Sequence, residues 1–191
     1  MMRIITGRAR GVRLNTLTGE NTRPTSERTK EAVFSILQFE LQGKKVLDLF
    51  AGSGQMALEA LSRGSEHAVL CDASRAASDV IRANATKTRL LPMCEIVTMD
   101  WSALLRSMKK RQSFGLVFLD PPYAMGVIPQ VLEGLLENGI LEPDARIVCE
   151  TADEKDVFGD NEILRSRFEI LRTARYGAAF VTILSWKGEV V

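Results

Sequence analysis

Four short apolar runs in this chain each lead into an aspartate, at Asp48, Asp72, Asp100 and Asp120. Runs this short read as strands buried on both faces, and the segments between them carry helical spacing, which together predict an α/β fold built on a parallel sheet. A carboxylate has no reason to recur at the ends of buried strands unless that edge is a polar crevice. Open α/β sheets bind their ligands along that edge. Helix capping would account for one or two of the carboxylates; a ligand site accounts for the series.

The first run, residues 44–54, reads Lys-Lys-Val-Leu-Asp-Leu-Phe-Ala-Gly-Ser-Gly. Glycines directly after a strand let backbone approach a ligand, and the helical pattern Ala57, Leu58, Ala60, Leu61 follows at once. Loop N–H groups and a helix N-terminus then face whatever binds. A glycine match of this kind is also common strand-turn-helix punctuation, so its neighbours decide. The second strand, His67 to Asp72, ends 20 residues past Gly52. That is the offset at which an acidic residue receives a pair of ribose hydroxyls. A helix over residues 75–90 and a third strand, Cys94 to Met99, lead to Asp100-Trp101.

The fourth strand, Phe114 to Leu119, delivers Asp120-Pro121-Pro122-Tyr123. Proline holds the residue before it extended and offers no N–H. A carboxylate, the Pro121 carbonyl and an aromatic plate remain. Two acceptors beside a plate suit a planar heterocycle with an exocyclic amine, its protons on the acceptors and its ring on Tyr123. The bland alternative is an Asp-Pro-Pro turn with a surface tyrosine. Beyond it come a helix, Val127 to Leu136, a strand, Ala145 to Glu150, and an acidic loop, Thr151 to Asn161. Phe168 to Arg175 and Ala178 to Trp186 then flank Tyr176-Gly177 as an antiparallel hairpin.

The N-terminal end differs in charge. Residues 1–30 carry seven basic side chains against two acidic ones, and the rest carries eighteen against twenty-two. A basic arm on a mildly acidic body points to an anionic partner, most simply nucleic acid; a solvated, flexible terminus is the alternative. Met2 to Leu14 reads as a small β-hairpin or two short strands exposing arginines, and residues 15–26 as a connector. Thr25 or Ser26 can cap a helix through Ala32, Val33, Ile36 and Leu37 that Gly43 stops. Arg28 and Lys30 on its first turn oppose the helix dipole and hint at a functional pull.

With 191 residues, 46% of them hydrophobic, the chain can bury a proper core as one domain, with or without an appendage. No apolar run approaches the roughly 20 residues of a membrane span, and no apolar signal core follows Arg3 and Arg8, so a cytoplasmic protein is expected. Cys71, Cys94 and Cys149 lack paired spacing, and His67 is the single histidine. Buried thiols in a reducing compartment, with no metal site, is the expectation.

The order Asp48-x-Phe50-x-Gly52-x-Gly54, Asp72, Asp100 and Asp120-Pro121-Pro122-Tyr123, closed by a hairpin, resembles the class I methyltransferases that use S-adenosylmethionine and modify exocyclic amines. Arg3-Ile-Ile-Thr-Gly-Arg8, Arg23-Pro-Thr, Arg28-x-Lys-Glu-Ala-Val-Phe34, Leu58-Glu-Ala-Leu-Ser-Arg-Gly64 and Arg175-Tyr-Gly177 are similar to the bacterial small-subunit ribosomal RNA guanine-N2 methyltransferase family over nearly the whole chain. Gln55-Met56 and Asp72 depart from the family's usual residues; Asp72 is one methylene shorter than glutamate and can still accept from ribose.

The resemblance implies a Rossmann-like fold: a mostly parallel seven-stranded sheet, a C-terminal antiparallel hairpin and a small basic N-terminal β-hairpin. Residues 1–26 would dock RNA and residues 27–191 would form the S-adenosylmethionine-dependent domain. Asp48, Phe50, Ala51, Gly52 and Gly54 would bound the methionine end of the cofactor, Asp72 and Ala73 its ribose, and Asp100 and Trp101 its adenine. Asp120, Pro121, Pro122 and Tyr123 would hold a flipped guanine, and Arg3, Arg8, Arg10, Arg13, Arg23 and Arg28 would contact small-subunit RNA. The implied substrate is that RNA within a partly or fully assembled small subunit, met by a monomer and without a membrane. Two other readings stay open. An adenine-N6 methyltransferase on DNA or another RNA would need a target-recognition region beyond the basic N-terminus. A non-catalytic nucleotide- or RNA-binding module would have no use for a rigid amine acceptor.

Overall fold

The computed structural model describes residues 2–17 and 27–188. The chain divides into two compact units, Met1–Asp100 and Trp101–Val191. The expected boundary after residue 26 lies at the edge of the undescribed segment. Among the described residues no helix is long and apolar enough to cross a membrane.

In the first unit the elements are α1 (Glu27–Leu37), β1 (Lys45–Asp48), α2 (Gln55–Ser62), β2 (His67–Asp72), α3 (Arg75–Lys87) and β3 (Cys94–Thr98). Both β1 and β3 pair with β2 in parallel, Asp48 opposite Leu70 and Asp72 opposite Thr98. Val46, Leu47, Val69 and Leu70 are fully buried, the double-sided burial expected of parallel strands. Every residue of α2 is buried, which makes it a core helix with no solvent face. One wall around it is the N-terminal segment. That segment makes a single antiparallel bridge, Arg3 with Arg13, rather than two strands. It is closed by the Gly11 N–H on the Ile4 carbonyl at 2.8 Å and the Leu14 N–H on the Met2 carbonyl at 2.9 Å.

The second unit holds α4 (Trp101–Met108), β4 (Phe114–Leu119), α5 (Ile128–Glu137), β5 (Leu141–Thr151), α6 (Glu162–Ser166), β6 (Phe168–Tyr176) and β7 (Ala179–Trp186). β4 runs parallel to β5, and β7 pairs antiparallel with both β5 and β6. All six residues of β4 are buried. In sheet order the strands run β3-β2-β1-β4-β5-β7-β6, the mostly parallel seven-stranded arrangement of a Rossmann-like methyltransferase fold.

The expected strands and helices are present, with local corrections. α1 ends at Leu37, well before Gly43, and its anticipated caps, Thr25 and Ser26, lie outside the described residues. Strand β5 begins four residues earlier than its apolar run, at Leu141. The acidic segment expected as a loop contains a 3-10 turn, Glu154–Val157, closed by a capping box on Asp153. Helix α4 carries Leu104, Leu105 and Met108 inward, a face too short to stand out as a helical period in sequence.

Candidate functional site

The glycine loop after β1 is laced to the end of β2. The Ala51 N–H donates to the Cys71 carbonyl at 2.9 Å, and the Gly52 N–H to Asp72 Oδ2 at 2.9 Å. The other oxygen, Oδ1, accepts from the Ser74 N–H at 2.8 Å, and Ser74 in turn caps α3. A carboxylate offers about four lone-pair sites, so Asp72 keeps acceptor capacity for a ligand after meeting its two amides. Gly52 sits at φ 54°, and a Cβ built on it would meet no atom within 4 Å. Backbone alone lines the loop there, beneath open space.

Asp48 serves the loop from inside. It is 3% exposed and accepts from the backbone N–H groups of Ala57 and Phe50, tying strand end, loop and helix start together. Burial pushes its carboxyl up to about 7; the two amides oppose the rise and the charge on Asp72 adds to it. Phe50 is half-buried, Ala51 and Gly54 are buried, and Ala73 and Asp100 are exposed beside the ends of β2 and β3. The Met99 N–H reaches the Asp72 carbonyl at 3.1 Å, which sets the level of Asp100. Trp101, grouped with these residues by sequence, is the half-buried first residue of α4 in the second unit, where a Cβ on Gly134 would stand 3.7 Å from its ring.

In the second unit Asp120 follows the buried strand β4, half-buried, with Pro121 buried and Pro122 and Tyr123 exposed. Tyr123 opens a 3-10 turn, Tyr123–Met125, closed by the Met125 N–H on the Pro122 carbonyl at 2.9 Å. Tyr123 is 38% exposed, and its hydroxyl donates to Glu150 Oε1 at 3.0 Å. Leu119 lies opposite Cys149, so Asp120, just past β4, and Glu150, next to last in β5, lie at the same level. Sequence reasoning missed Glu150 as a site residue. The signal was available in its place at the end of a strand, like the four aspartates.

The expected RNA-contacting residues share the first unit. Arg3, Arg8, Arg10, Arg13 and Arg28 are exposed; Arg23 lies outside the described residues. The segment runs the length of α2. At one end Ser53 Oγ donates to Met2 Sδ at 3.1 Å, and Asn84 Nδ2 donates to the carbonyls of Ser53 at 2.9 Å and Asn15 at 3.0 Å. At the other end the Arg8 N–H takes the Ser62 carbonyl at 2.9 Å, and Arg8 Nη2 donates to the Leu61 carbonyl at 3.2 Å, a cation where the helix dipole favours one. Gly7, at φ 85°, allows this approach: a Cβ there would stand 1.8 Å from the Ser62 carbonyl oxygen.

Lys30 is not an exposed cation on the first turn of α1. Its side chain is fully buried, donating to the Arg3 carbonyl at 2.6 Å with Glu59 Oε2 at 3.7 Å. Glu59, equally buried, also accepts from the N–H groups of Ile5 at 2.7 Å and Thr6 at 3.0 Å and pairs with Arg63 at 2.7 Å. Burial lowers the Lys30 ammonium and Glu59 opposes that shift. The cation thus has a structural task, anchoring the N-terminal segment. Cys71 and Cys149 are buried and Cys94 is half-buried, and burial raises all three thiols, Cys71 and Cys94 to about 12.

Comparison with known proteins agrees over the length of the chain. The family model "conserved hypothetical protein 95" matches residues 2–185. The ribosomal RNA small subunit methyltransferase D of Haemophilus influenzae is 32% identical over 155 residues, covering 81% of this chain and 80% of that protein. Its Escherichia coli counterpart is 33% identical over 153 residues, covering 80% and 76%. The solved structure of the YhhF protein from Escherichia coli superposes with a TM-score of 0.83 at 28% identity, over 98% of this chain and 99% of that one. An RNA methyltransferase from Salinibacter ruber, solved with S-adenosyl-L-homocysteine, shares the fold at a TM-score of 0.66 and 15% identity, over 88% and 97%. The chain belongs to the conserved hypothetical protein 95 family, the family of the ribosomal RNA small subunit methyltransferases D.

Proposed function

We propose that this protein transfers a methyl group from S-adenosylmethionine to the exocyclic 2-amino group of a guanine in small-subunit ribosomal RNA. The observation that carries the reading is Asp120-Pro121-Pro122-Tyr123 at the end of the fully buried strand β4, its tyrosine exposed and anchored at the hydroxyl, in a chain of this family.

The first unit fits the cofactor. Asp72 retains lone pairs for two ribose hydroxyls, and the Gly52 backbone leaves room where a side chain would stand. Asp48 holds the loop in shape from behind, Phe50, Ala51 and Gly54 line it, Ala73 follows the ribose acceptor, and Asp100 would meet the adenine. When bound, S-adenosylmethionine supplies an electrophilic methyl group on a sulfonium centre.

The protein's own part begins with the base. Asp120 and the Pro121 carbonyl accept the amine hydrogens while Tyr123 stacks on the ring and Pro122 keeps the turn rigid. A guanine 2-amino lone pair is delocalised into the ring, and acceptors on its hydrogens favour the pyramidal nitrogen that can attack. Holding nitrogen and methyl at near-attack distance supplies on the order of 7–11 kcal/mol in favourable cases. The Asp120 charge stabilises the positive charge that develops on nitrogen, and the proton leaves to solvent. Residues 1–26, in which Arg3, Arg8, Arg10 and Arg13 are exposed, dock the RNA as a basic extension of the domain spanning residues 27–191. The substrate is the RNA in a partly or fully assembled small subunit, met in the cytoplasm by a monomer.

Labelled methyl transfer to naked small-subunit RNA, to assembled small subunits and to DNA, with mapping of the modified base, tests this reading. Product N2-methylguanine in small-subunit RNA is expected, and Asp120→Ala should abolish it while cofactor affinity stays within about threefold. N6-methyladenine in DNA would overturn the assignment.

A further inference from the structure

Arg175-Tyr176-Gly177 is a sequence signature for which the proposed chemistry has no use. In the structure it closes the hairpin between β6 and β7. Arg175 lies opposite Phe180, and its guanidinium carbon sits 5.6 Å from the Phe180 ring centroid. Its Nε donates to the Gly177 carbonyl at 3.0 Å. One edge of the guanidinium is thus tied to the turn and one face to a ring, while the side chain remains exposed. Among the described residues no carboxylate pairs with it. An arginine stacked and tethered without a counter-charge has its two terminal nitrogens oriented in advance for two oxygens of one oxyanion, such as a phosphate.

Its place in the sheet says which anion. Phe180 lies opposite Thr151, directly after Glu150, the residue that holds Tyr123, so the hairpin turn lies on the same sheet edge as Asp120 and Tyr123. From β4 through β5 and β7 to β6 are three strand spacings of about 4.8 Å each, or about 14 Å from the Asp120 strand to the Arg175 strand. That exceeds the reach of the nucleotide whose base Tyr123 would stack and matches a neighbour along the strand.

We propose that Arg175, braced by Phe180 and the Gly177 carbonyl, binds a backbone phosphate of a nucleotide flanking the target guanine. The inference rests on the RNA methyltransferase reading above. It makes the hairpin turn a second RNA contact, separate from the N-terminal arginines, that sets the register of the strand on the second unit.

The test compares wild type with Arg175→Ala, Arg175→Lys and Phe180→Leu, measuring binding to small-subunit RNA by anisotropy from low to moderate salt, steady-state methyl transfer and thermal unfolding. Arg175→Ala should weaken RNA binding about 5–20-fold and reduce the slope of log affinity against log salt by about one, the signature of one lost phosphate contact. KM for RNA should rise in proportion while kcat stays within about twofold. Arg175→Lys should keep the salt slope yet bind more weakly than wild type, because an ammonium lacks the planar fork, and Phe180→Leu should resemble it. An unchanged affinity and slope in Arg175→Ala, or a loss seen only together with a lowered unfolding temperature in all three variants, overturns the inference. Wild-type binding to RNA that depends on Arg175 without methyl transfer to guanine would leave the contact standing and sink the parent reading instead.

Discussion

Asp72 accepts the Gly52 amide at 2.9 Å across 20 residues of sequence. The carboxylate that the spacing marks as a ribose acceptor therefore also shapes the loop that would receive the cofactor. Asp72→Ala removes both roles at once and should weaken S-adenosylmethionine binding about 10–100-fold by calorimetry. Asp72→Asn keeps one oxygen acceptor for Gly52 and should fall between. Unchanged affinity in Asp72→Ala would remove this residue from the site.

Glu59 is the hub of the N-terminal segment, holding two backbone amides, Lys30 and Arg63. Glu59→Ala strands a buried ammonium without its counter-charge, which costs on the order of 3–5 kcal/mol. Urea unfolding should register the loss. A cost below about 1 kcal/mol would mean that water enters and solvates Lys30.

The hydroxyl of Tyr123 is fixed by Glu150, and the ring is what a base would stack on. Tyr123→Phe should raise KM for RNA a few-fold with kcat within about twofold, and Glu150→Ala should match it. Glu150→Gln, which retains an acceptor oxygen, should stay near wild type. Tyr123→Ala loses the plate itself, worth about 1–3 kcal/mol of stacking. Equal effects from Phe and Ala at this position would contradict stacking.

Asp48 makes folding sensitive to acid in an unusual direction. Its folded-state carboxyl is raised from 3.8 to about 7, so between those values the folded chain binds a proton that the unfolded chain has released. Stability contributed by this group is fully present below pH 4, falls as pH rises towards 7 and is level above. Thermal unfolding of Asp48→Asn should show a flatter profile over that window than wild type. Identical profiles would place the titration elsewhere.

Arg8, Arg10 and Arg13 are exposed on the segment that lies along α2. Replacing all three with glutamine should weaken RNA binding and reduce the logarithmic salt slope by about two to three. An unaltered slope would leave the segment a structural cover for α2.

Much of the fold was legible in local pattern. Apolar runs of strand length, helical spacing between them and glycine punctuation located all seven strands and most helices, because each signal lies within a few residues and reports which face is buried. The aspartates at the strand ends and the rigid Asp120-Pro121-Pro122-Tyr123 turn were equally local. What the spacing could not say is which groups meet across the fold. Lys30 reads as a first-turn cation set against the helix dipole until Glu59, 29 residues on, is packed against it with both side chains fully buried. The burial of Asp48 and the backbone amides of Phe50 and Ala57 that it accepts from are likewise absent from the spacing. Glu150 becomes a partner of Tyr123 only when β5 lies beside β4. The sequence by itself determined the strands, most of the helices and the carboxylates that end the strands, because each is written in a few neighbouring residues. Tertiary packing alone decided which charges are withdrawn from water and must find partners, because desolvation depends on what surrounds a side chain in space.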